Sequence, residues 1–228
     1  MRFLILALTA TLLLPTTLPA QTLERIKETG QIVIGFRTDA APLSFLEDNQ
    51  PKGYTPTVCF ELAAKIGAQL GMTDLNVIFE TVDTENRFDK VAQGEIDLLC
   101  GAASITLSRR ELVDFSVPVY VDGTTVALQV DGPQSLPELA GYKVGVRSGT
   151  TTLEALTNTL TAANIDAEVI QFADHPSGMA ALEGDAVQAY FADQSILMSM
   201  LVQMENAEQF TVLEQILTVE KHGLAMSR

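Results

Sequence analysis

A short segment rich in glycine and hydroxyl groups is the first candidate for a binding site. Residues 143–147 are predicted to form a buried strand, and Ser148, Gly149, Thr150 and Thr151 follow it directly before a predicted helix. The start of a helix leaves backbone N–H groups unpaired and carries a partial positive charge, so this segment could bind an anion. The alternative is ordinary capping of the helix by Ser148 or Thr150.

A second candidate anion site lies in the loop after the third predicted strand. Small residues at 101–104 lead to Arg109 and Arg110, and ligands commonly bind beyond the carboxyl ends of such strands. The guanidinium group of an arginine matches a carboxylate with two parallel hydrogen bonds. The alternative is that these two arginines pair on the surface with Glu111 or Asp114.

Four further side chains could contact a charged ligand. Asp193 ends a predicted strand and could receive an ammonium group, or it could cap the following helix. Arg37 ends the first predicted strand, and its alternative is a pair with Asp39. Arg87 begins a predicted helix, where it could instead face solvent. His175 precedes a proline, and its alternative is a role as a turn residue.

The elements that position these residues alternate between strand and helix. Short β-rich and helical segments follow one another from residue 31 to residue 100, which predicts an α/β sheet with largely parallel strands. Residues 113–130 form one extended stretch that is too long for a single strand of a small sheet. A second strand–helix series then covers 143–204, and 218–227 is extended again. This order predicts two lobes with a cleft between them, where small ligands bind and a hinge closes.

The composition excludes several classes of partner. The formal net charge of the 228-residue chain is −15, which disfavours nucleic acid and anionic lipid because both require a basic surface. The apolar fraction is 47% and the charged fraction is 19%, so a large core is expected and general disorder is not.

The first 20 residues have the pattern of a secretory signal peptide. Arg2 precedes an apolar run at 3–14, and Ala20 supplies a small residue for cleavage. The run is too short to span a membrane as an anchor. We therefore expect export.

Two cysteines, Cys59 and Cys100, could form one disulfide in an oxidising compartment. The alternative is two buried free thiols. These cysteines and the scattered His175 and His222 do not have the spacing of a metal-ligand set, so no metal is expected.

Taken together, two carboxylate-binding elements on different lobes and one acid for an amine match the zwitterion of an α-amino acid. From about Leu23 to Met226, the chain resembles the bacterial solute-binding proteins of family 3, the periplasmic amino-acid receptors of ABC transporters. The motifs that carry the resemblance are, in order, Gly53–Tyr54, Gly94–Asp97, Ser104–Thr106, Arg109–Arg110, Asp114–Ser116, Ser148–Thr151 and Ala189–Asp193.

The resemblance implies the two-lobed periplasmic binding protein fold, of the α/β class, with two hinge crossings. The implied limits are a signal peptide at 1–20, lobe 1 at 21–120 with 219–228 returning to it, and lobe 2 at 121–218. Family members usually continue past the second crossing, so we expect that a chain ending at Arg228 is truncated at its C-terminal end.

The resemblance also implies roles for individual residues. Arg109 and Ser104 would hold the α-carboxylate of the ligand from lobe 1. Thr150 and Thr151 would hold it from lobe 2, and Asp193 would bind the α-ammonium group. Ala102 stands where many members have Ser or Thr, so only its backbone carbonyl is expected to contribute.

The positions of Arg37, Thr84, Arg87 and His175 resemble those of glutamate/aspartate receptors. In such receptors, basic residues at these places meet the side-chain carboxylate of the ligand. The resemblance therefore implies an acidic amino acid as the ligand.

We predict a periplasmic binding protein that has no catalytic activity and no cofactor, is a monomer, and passes an amino acid to an ABC transporter permease. One alternative is a periplasmic dehydratase on the same fold, acting on prephenate or arogenate, which would need a positioned general acid such as Glu154 or Glu183. A sensory domain is another alternative.

Overall fold

The computed structural model describes residues 21–228. The predicted signal peptide at 1–20 lies outside the described residues. Among residues 21–228, no helix has both the length and the apolar character that crossing a membrane requires.

Fourteen strands and six α-helices make up the described chain. The strands are β1 (Gln31–Phe36), β2 (Asp39–Ala40), β3 (Ser44–Glu47), β4 (Gln50–Lys52), β5 (Asn76–Thr81), β6 (Leu98–Leu99), β7 (Asp114–Phe115), β8 (Tyr120–Gln129), β9 (Lys143–Arg147), β10 (Glu168–Phe172), β11 (Ala189–Asp193), β12 (Phe210–Val212), β13 (Thr218–His222) and β14 (Ala225–Met226). The α-helices are α1 (Gln21–Thr29), α2 (Tyr54–Gln69), α3 (Arg87–Ala92), α4 (Thr151–Ala163), α5 (His175–Glu183) and α6 (Gln194–Gln203).

The first lobe is built on a five-stranded sheet with the order β5-β1-β6-β14-β7. β1 runs parallel to β5 and β6, and β14 runs antiparallel to β6 and β7. Alternate residues of a strand share one face, and Ile32 and Ile34 of β1 are buried in one cluster with Cys59 and Ala63 of α2. This packing fixes the carboxyl end of β1, from which Arg37 extends.

The second lobe is built on a sheet with the order β10-β9-β11-β8-β12, to which β13 adds by pairing with β8. β9 is parallel to β10 and β11, and β8 is antiparallel to β11. Leu156 and Leu160 lie one helical turn apart on α4 and pack with Val144 and Val146 of β9. This contact positions the segment between β9 and α4.

The chain crosses between the lobes twice. It leaves the first sheet after β7 and enters the second at β8, and it returns between β13 and β14. The extended stretch predicted at 113–130 is therefore two strands in different sheets. β8 and β13 run side by side, with Tyr120 opposite His222. The predicted two-lobed α/β fold with two crossings is confirmed.

A small antiparallel sheet of β2, β3 and β4 was not predicted from the sequence. It holds the chain just after β1, because the Arg37 backbone N–H donates to Ser44 Oγ at 2.9 Å and the Ser44 hydroxyl donates to the Arg37 carbonyl at 2.9 Å. These two bonds fix the backbone that carries Arg37 and Asp39.

Cys59 of α2 and Cys100, directly after β6, form a disulfide with their α-carbons 6.3 Å apart. Both are completely buried. The alternative of two free thiols is wrong, and the bond ties α2 to the start of the loop at 101–104.

Candidate functional site

A narrow cavity of about 10 Å³, roughly the room that one water molecule needs, lies between the lobes. Elements of both lobes meet there, at the carboxyl ends of β1, β6, β9 and β11. Eight of the predicted site residues line it, namely Arg37, Arg87, Ala102, Ser104, Thr150, Thr151, His175 and Asp193. Thr152 and Ile196 also line the cavity, whereas the predicted Arg109 and Thr84 do not.

The lobes touch directly beside this cavity. The Ser104 and Thr151 hydroxyls are 3.2 Å apart, and the Thr84 hydroxyl donates to the Ser148 carbonyl at 2.9 Å. Gly149 has a positive φ of 64°, and a Cβ at this position would lie 2.9 Å from Thr84 Oγ1 and 2.7 Å from a carboxylate oxygen of Glu85. The lobes are therefore closed on each other, and a ligand must enter when they separate.

Thr150 caps α4. Its side-chain oxygen accepts a bond from the Leu153 N–H at 3.3 Å, and its hydroxyl donates to the Arg147 carbonyl at 2.8 Å. The capping alternative is thus confirmed for Thr150. The Thr151 hydroxyl is within 3.2 Å of both Ser104 Oγ and a carboxylate oxygen of Glu220, so it faces the opposite lobe.

Asp39 joins two guanidinium groups from different lobes. Arg37 donates to Oδ1 through Nε at 2.9 Å and Nη2 at 2.7 Å, and Arg147 donates to Oδ2 through Nε at 2.6 Å. The His175 backbone N–H adds a bond to Oδ2 at 3.4 Å. The alternative that Arg37 pairs with Asp39 is confirmed. Burial raises the pKa of Asp39, but Arg37, His175 and Arg147 lower it more, so its pKa lies below the usual range.

Arg87 is buried at 2% exposure, so the alternative of a solvent-facing side chain is wrong. Its Nη1 donates to the Ala102 carbonyl at 3.2 Å and its Nη2 to the Gly149 carbonyl at 3.5 Å, while Nε has no partner. The guanidinium carbon lies 5.0 Å from the ring centre of Phe88. Burial, together with the neighbouring arginines, lowers the pKa of Arg87 well below its ordinary value.

Arg109 packs on the same ring, with its guanidinium carbon 4.7 Å from the centre of Phe88. Its Nη1 donates to the carbonyl of Ser104 at 2.8 Å. Burial lowers the pKa of Arg109, while the charges of Glu220 and Asp193 raise it by less. Among residues 21–228, Arg109 forms no ion pair with Glu111 or Asp114, so that alternative is wrong for it.

His175 begins α5 rather than lying in a turn. Its Nδ1 is 2.9 Å from the Tyr190 hydroxyl, and its Nε2 has no partner in the described chain. Gly178 makes this contact sterically feasible, since a Cβ there would lie 2.0 Å from the Tyr190 ring. Burial, followed by the charge of Arg37, lowers the pKa of His175 to about 3, so its ring is neutral at pH 7.

Asp193 makes no capping hydrogen bond with its side chain, so the capping alternative is wrong. It is buried, and burial followed by the charges of Asp122 and Glu220 raises its pKa to about 7. Its Oδ2 is 3.4 Å from Nε2 of His222. An ammonium group at this place would supply the positive charge and the donors that Asp193 lacks.

Arg147, Glu220 and His222 were not identified as site residues from the sequence, and Asp39 was named only as a possible partner of Arg37. Arg147 ends β9 as Arg37 ends β1, so the position of ligands at strand carboxyl ends could have identified it. Glu220 and His222 belong to β13, and no local sequence pattern indicates that this strand pairs with β8.

Known proteins with similar sequences are amino-acid-binding proteins. Over 194 residues the chain is 26% identical to the L-glutamate/L-aspartate-binding protein of Pseudomonas aeruginosa, covering 84% of this chain and 64% of the relative. Over 208 residues it is 30% identical to the glutamate/glutamine/aspartate/asparagine-binding protein of Rhodobacter capsulatus, covering 90% of this chain and 60% of the relative. The chain thus spans less than two thirds of the length of these relatives.

A solved structure has the same fold. The ABC transporter periplasmic binding protein from Brucella ovis, with glutathione bound, gives a TM-score of 0.79 at 25% identity, over 91% of this chain and 65% of that one. Residues 32–178 match a protein family that is described as the bacterial extracellular solute-binding proteins, family 3. This match covers more than half of the chain and confirms the predicted resemblance. The protein therefore belongs to the bacterial extracellular solute-binding proteins of family 3.

Proposed function

We propose that the protein binds glutamate or aspartate between its lobes. The observation that carries this proposal is an imbalance of charge at the cavity. Arg87 and Arg109 form no ion pair in the part of the chain that the structure describes, and the carboxylate of Asp193 has there only the ring of His222, at 3.4 Å, as an ion-pair partner. A ligand with two carboxylates and one ammonium group complements these three side chains.

The assignment of the α-carboxylate rests on contacts near Ser104. Arg109 is tied to the Ser104 carbonyl, and the Ser104 hydroxyl meets that of Thr151 from the opposite lobe. An α-carboxylate placed between these hydroxyls would draw donors from both lobes and favour closure. Arg109 does not line the cavity as it stands, so it would turn toward the ligand or act through its charge.

The assignment of the side-chain carboxylate rests on Arg87. Arg37 and Arg147 already share the carboxylate of Asp39, whereas Arg87 has only two backbone carbonyls as partners. A buried guanidinium without a counter-charge is costly, and a ligand carboxylate would remove that cost. The ring of His175 is neutral and can serve as a hydrogen-bond partner.

We further propose that the protein is exported to the periplasm, acts as a monomer, and delivers the bound amino acid to the permease of an ABC transporter. The relatives from Pseudomonas aeruginosa and Rhodobacter capsulatus are binding proteins whose ligands include glutamate and aspartate, and this supports the proposed ligand. Family membership supports the transport role.

The cavity lacks both of the general acids that were considered for the dehydratase alternative. Asp193 is the only carboxylate among its lining residues in the described chain, and neither Glu154 nor Glu183 lines it. Production of phenylpyruvate or phenylalanine from prephenate or arogenate would overturn the non-enzymatic proposal.

The decisive experiment is calorimetric titration of the ligand-free protein with L-glutamate, L-aspartate, L-glutamine, L-lysine and L-leucine. Two analogues test the two ends of the ligand: 2-oxoglutarate lacks the ammonium group, and 4-aminobutyrate lacks the α-carboxylate. We expect glutamate or aspartate to bind most tightly, and both analogues to bind at least tenfold more weakly, because each leaves a buried charged group unpaired.

Variants connect the result to the site. Asp193→Asn and Arg109→Ala should each abolish measurable binding, while Arg110→Ala, which changes an exposed neighbouring arginine, should not. Tighter binding of lysine or leucine than of glutamate or aspartate would overturn the proposal of an acidic ligand. The proposal that the protein binds an amino acid would still stand. No binding of any amino acid by a folded protein would overturn the receptor itself.

A further inference from the structure

Three metal-ligating side chains meet beside the hinge crossings. Asp122 lies on β8, Asp193 ends β11 and His222 ends β13, and one ligand atom from each lies within 4.8 Å of the others. His222 Nε2 and Asp193 Oδ2 are 3.4 Å apart. They are far apart in sequence, which is why spacing alone predicted no metal-ligand set.

The hydrogen bonding of these residues is incomplete. His222 is completely buried, yet neither of its ring nitrogens has a partner in the described chain. Asp193 is also buried, and His222 is the one ion-pair partner of its carboxylate in the described chain. Buried polar atoms almost always have a partner, so a group that accepts electron pairs from both residues would fit this place.

We propose that Asp122, Asp193 and His222 bind a divalent transition-metal ion of the Zn²⁺ type. Imidazole nitrogen and carboxylate oxygen bind Zn²⁺ at about 2.0–2.2 Å, which places two ligands of a tetrahedral ion roughly 3.4 Å apart. The distance between His222 and Asp193 equals that value. Two carboxylates would balance the charge of the ion, and three protein ligands leave one coordination position open.

Asp122 is already oriented by its neighbours. The Ser195 hydroxyl donates to its Oδ2, and the N–H groups of Gly123 and Ser195 donate to its Oδ1 at 2.9 and 3.3 Å. A carboxylate has about four acceptor positions, so one remains for the ion. Bonds of this kind hold metal ligands in place.

One of the three ligands borders the surface. A surface depression of about 530 Å³ is lined by Asp122, Gly123 and Ser195 together with Tyr120. Asp193 and His222 do not line it, so the ion would have to pass Asp122 to reach them.

Metal binding would oppose amino-acid binding, and this part of the inference rests on the proposed function. Asp193 would serve both the ion and the ammonium group, and two cations would then lie side by side in a buried place. Because coupling between two binding sites is reciprocal, a bound amino acid would lower the affinity for the metal ion by the same factor by which the metal ion lowers the affinity for the amino acid.

The test is calorimetric titration of untagged, chelator-treated full-length protein with ZnCl₂. We expect one Zn²⁺ per chain, with affinity at least tenfold lower in His222→Gln and in Asp122→Asn. His175→Gln is the matched control, because His175 is the only other histidine of the chain and is also buried, and it should bind Zn²⁺ like the parent. Circular dichroism would verify that each variant is folded.

A crystal soaked in Zn²⁺ gives the decisive second measurement. Anomalous density about 2.0–2.2 Å from a ring nitrogen of His222 supports the site. The alternative is that a proton shared by His222 and Asp193 occupies this place. Either of two results would then overturn the inference: no stoichiometric binding of Zn²⁺, or binding of Zn²⁺ by folded His222→Gln with the affinity of the parent. With Zn²⁺ saturating, we expect glutamate to bind at least tenfold more weakly, and an unchanged glutamate affinity would overturn the competition but not the metal site.

Discussion

Replacing Arg87 with methionine should separate stability from binding. Arg87 is a buried guanidinium whose Nε has no partner and which forms no ion pair among residues 21–228. Methionine has a similar length and no charge, so Arg87→Met removes the desolvation penalty, which is several kcal/mol for a buried ion.

The losses are of similar size. They comprise the bond to the Ala102 carbonyl at 3.2 Å, about 1.5–3 kcal/mol for a charged donor, and a longer and weaker bond to the Gly149 carbonyl at 3.5 Å. The contact with the Phe88 ring contributes up to about 1 kcal/mol. We therefore expect the stability of the ligand-free Arg87→Met protein to stay within about 1 kcal/mol of the parent, which corresponds to a change in Tm of no more than about 2–4 °C at this chain length.

The affinity for glutamate should fall in the Arg87→Met variant. A hydrogen bond to a charged group contributes about 1.5–3 kcal/mol, so the Kd for glutamate should increase about 10- to 150-fold. In the parent protein, glutamate at 100 times its Kd should stabilise by about 2.7 kcal/mol, and most of this should vanish in the variant at the same concentration. Glutamine should lose much less affinity than glutamate.

Differential scanning calorimetry with and without glutamate measures both effects, and Arg110→Met is the control for loss of an exposed arginine. A ligand-free Arg87→Met protein that is less stable by about 2 kcal/mol or more, with an unchanged glutamate shift, would refute the reasoning. Arg87 would then be a structural residue whose backbone bonds outweigh its desolvation.

Three further predictions concern stability. Asp39→Asn leaves two buried guanidiniums without their shared carboxylate, so urea unfolding should show a loss of about 3–5 kcal/mol, and a loss below about 1 kcal/mol would contradict this role. Reduction of the Cys59–Cys100 bond, which links residues 41 apart, should lower the free energy of unfolding by about 4 kcal/mol through loop-closure entropy. The double variant Cys59→Ala/Cys100→Ala should match the reduced protein and not respond to reductant. Because the pKa of His175 falls to about 3 on folding, the unfolded chain gains its proton first as pH drops below about 6.5, so the contribution of His175 to stability is lost from there downward, while Asp193, whose pKa rises to about 7 on folding, contributes in the opposite direction. At pH 5 this loss is about 2 kcal/mol, and His175→Gln should remove it from the pH dependence of urea unfolding, whereas an unchanged slope would show that His175 is not the group responsible.

Much of the fold could be predicted because the signals are local. A strand–helix series beginning at residue 31 and a helix following the Ser148–Thr151 segment were predicted, and the structure has β1 at Gln31–Phe36 and α4 at Thr151–Ala163. The small sheet of β2, β3 and β4 was missed because its strands have only two to four residues, too few for a pattern of alternation to emerge.

Site residues, like the elements of the fold, could be predicted where the signal is local and were missed where it is not. Arg37 and Asp193 could be predicted because each stands at the carboxyl end of a strand, which is a position defined by local sequence. The bond from Arg147 to Asp39 joins residues 108 apart and depends on how one lobe sits against the other. That placement follows from two crossings and the closed contact surface, which no local pattern encodes.

The close approach at Gly149 has a consequence for how the lobes come together. The contact of Thr84 and Glu85 with this glycine leaves no room for a methyl group: a Cβ there would lie 2.9 Å from Oγ1 and 3.0 Å from Cβ of Thr84, whose short side chain cannot move far, and 2.7 Å from the carboxylate end of Glu85. Its tolerance is therefore about the width of one methyl group. Fully closed and nearly closed lobes therefore become distinct states, and the shape of the closed protein depends on how completely a ligand fits between them.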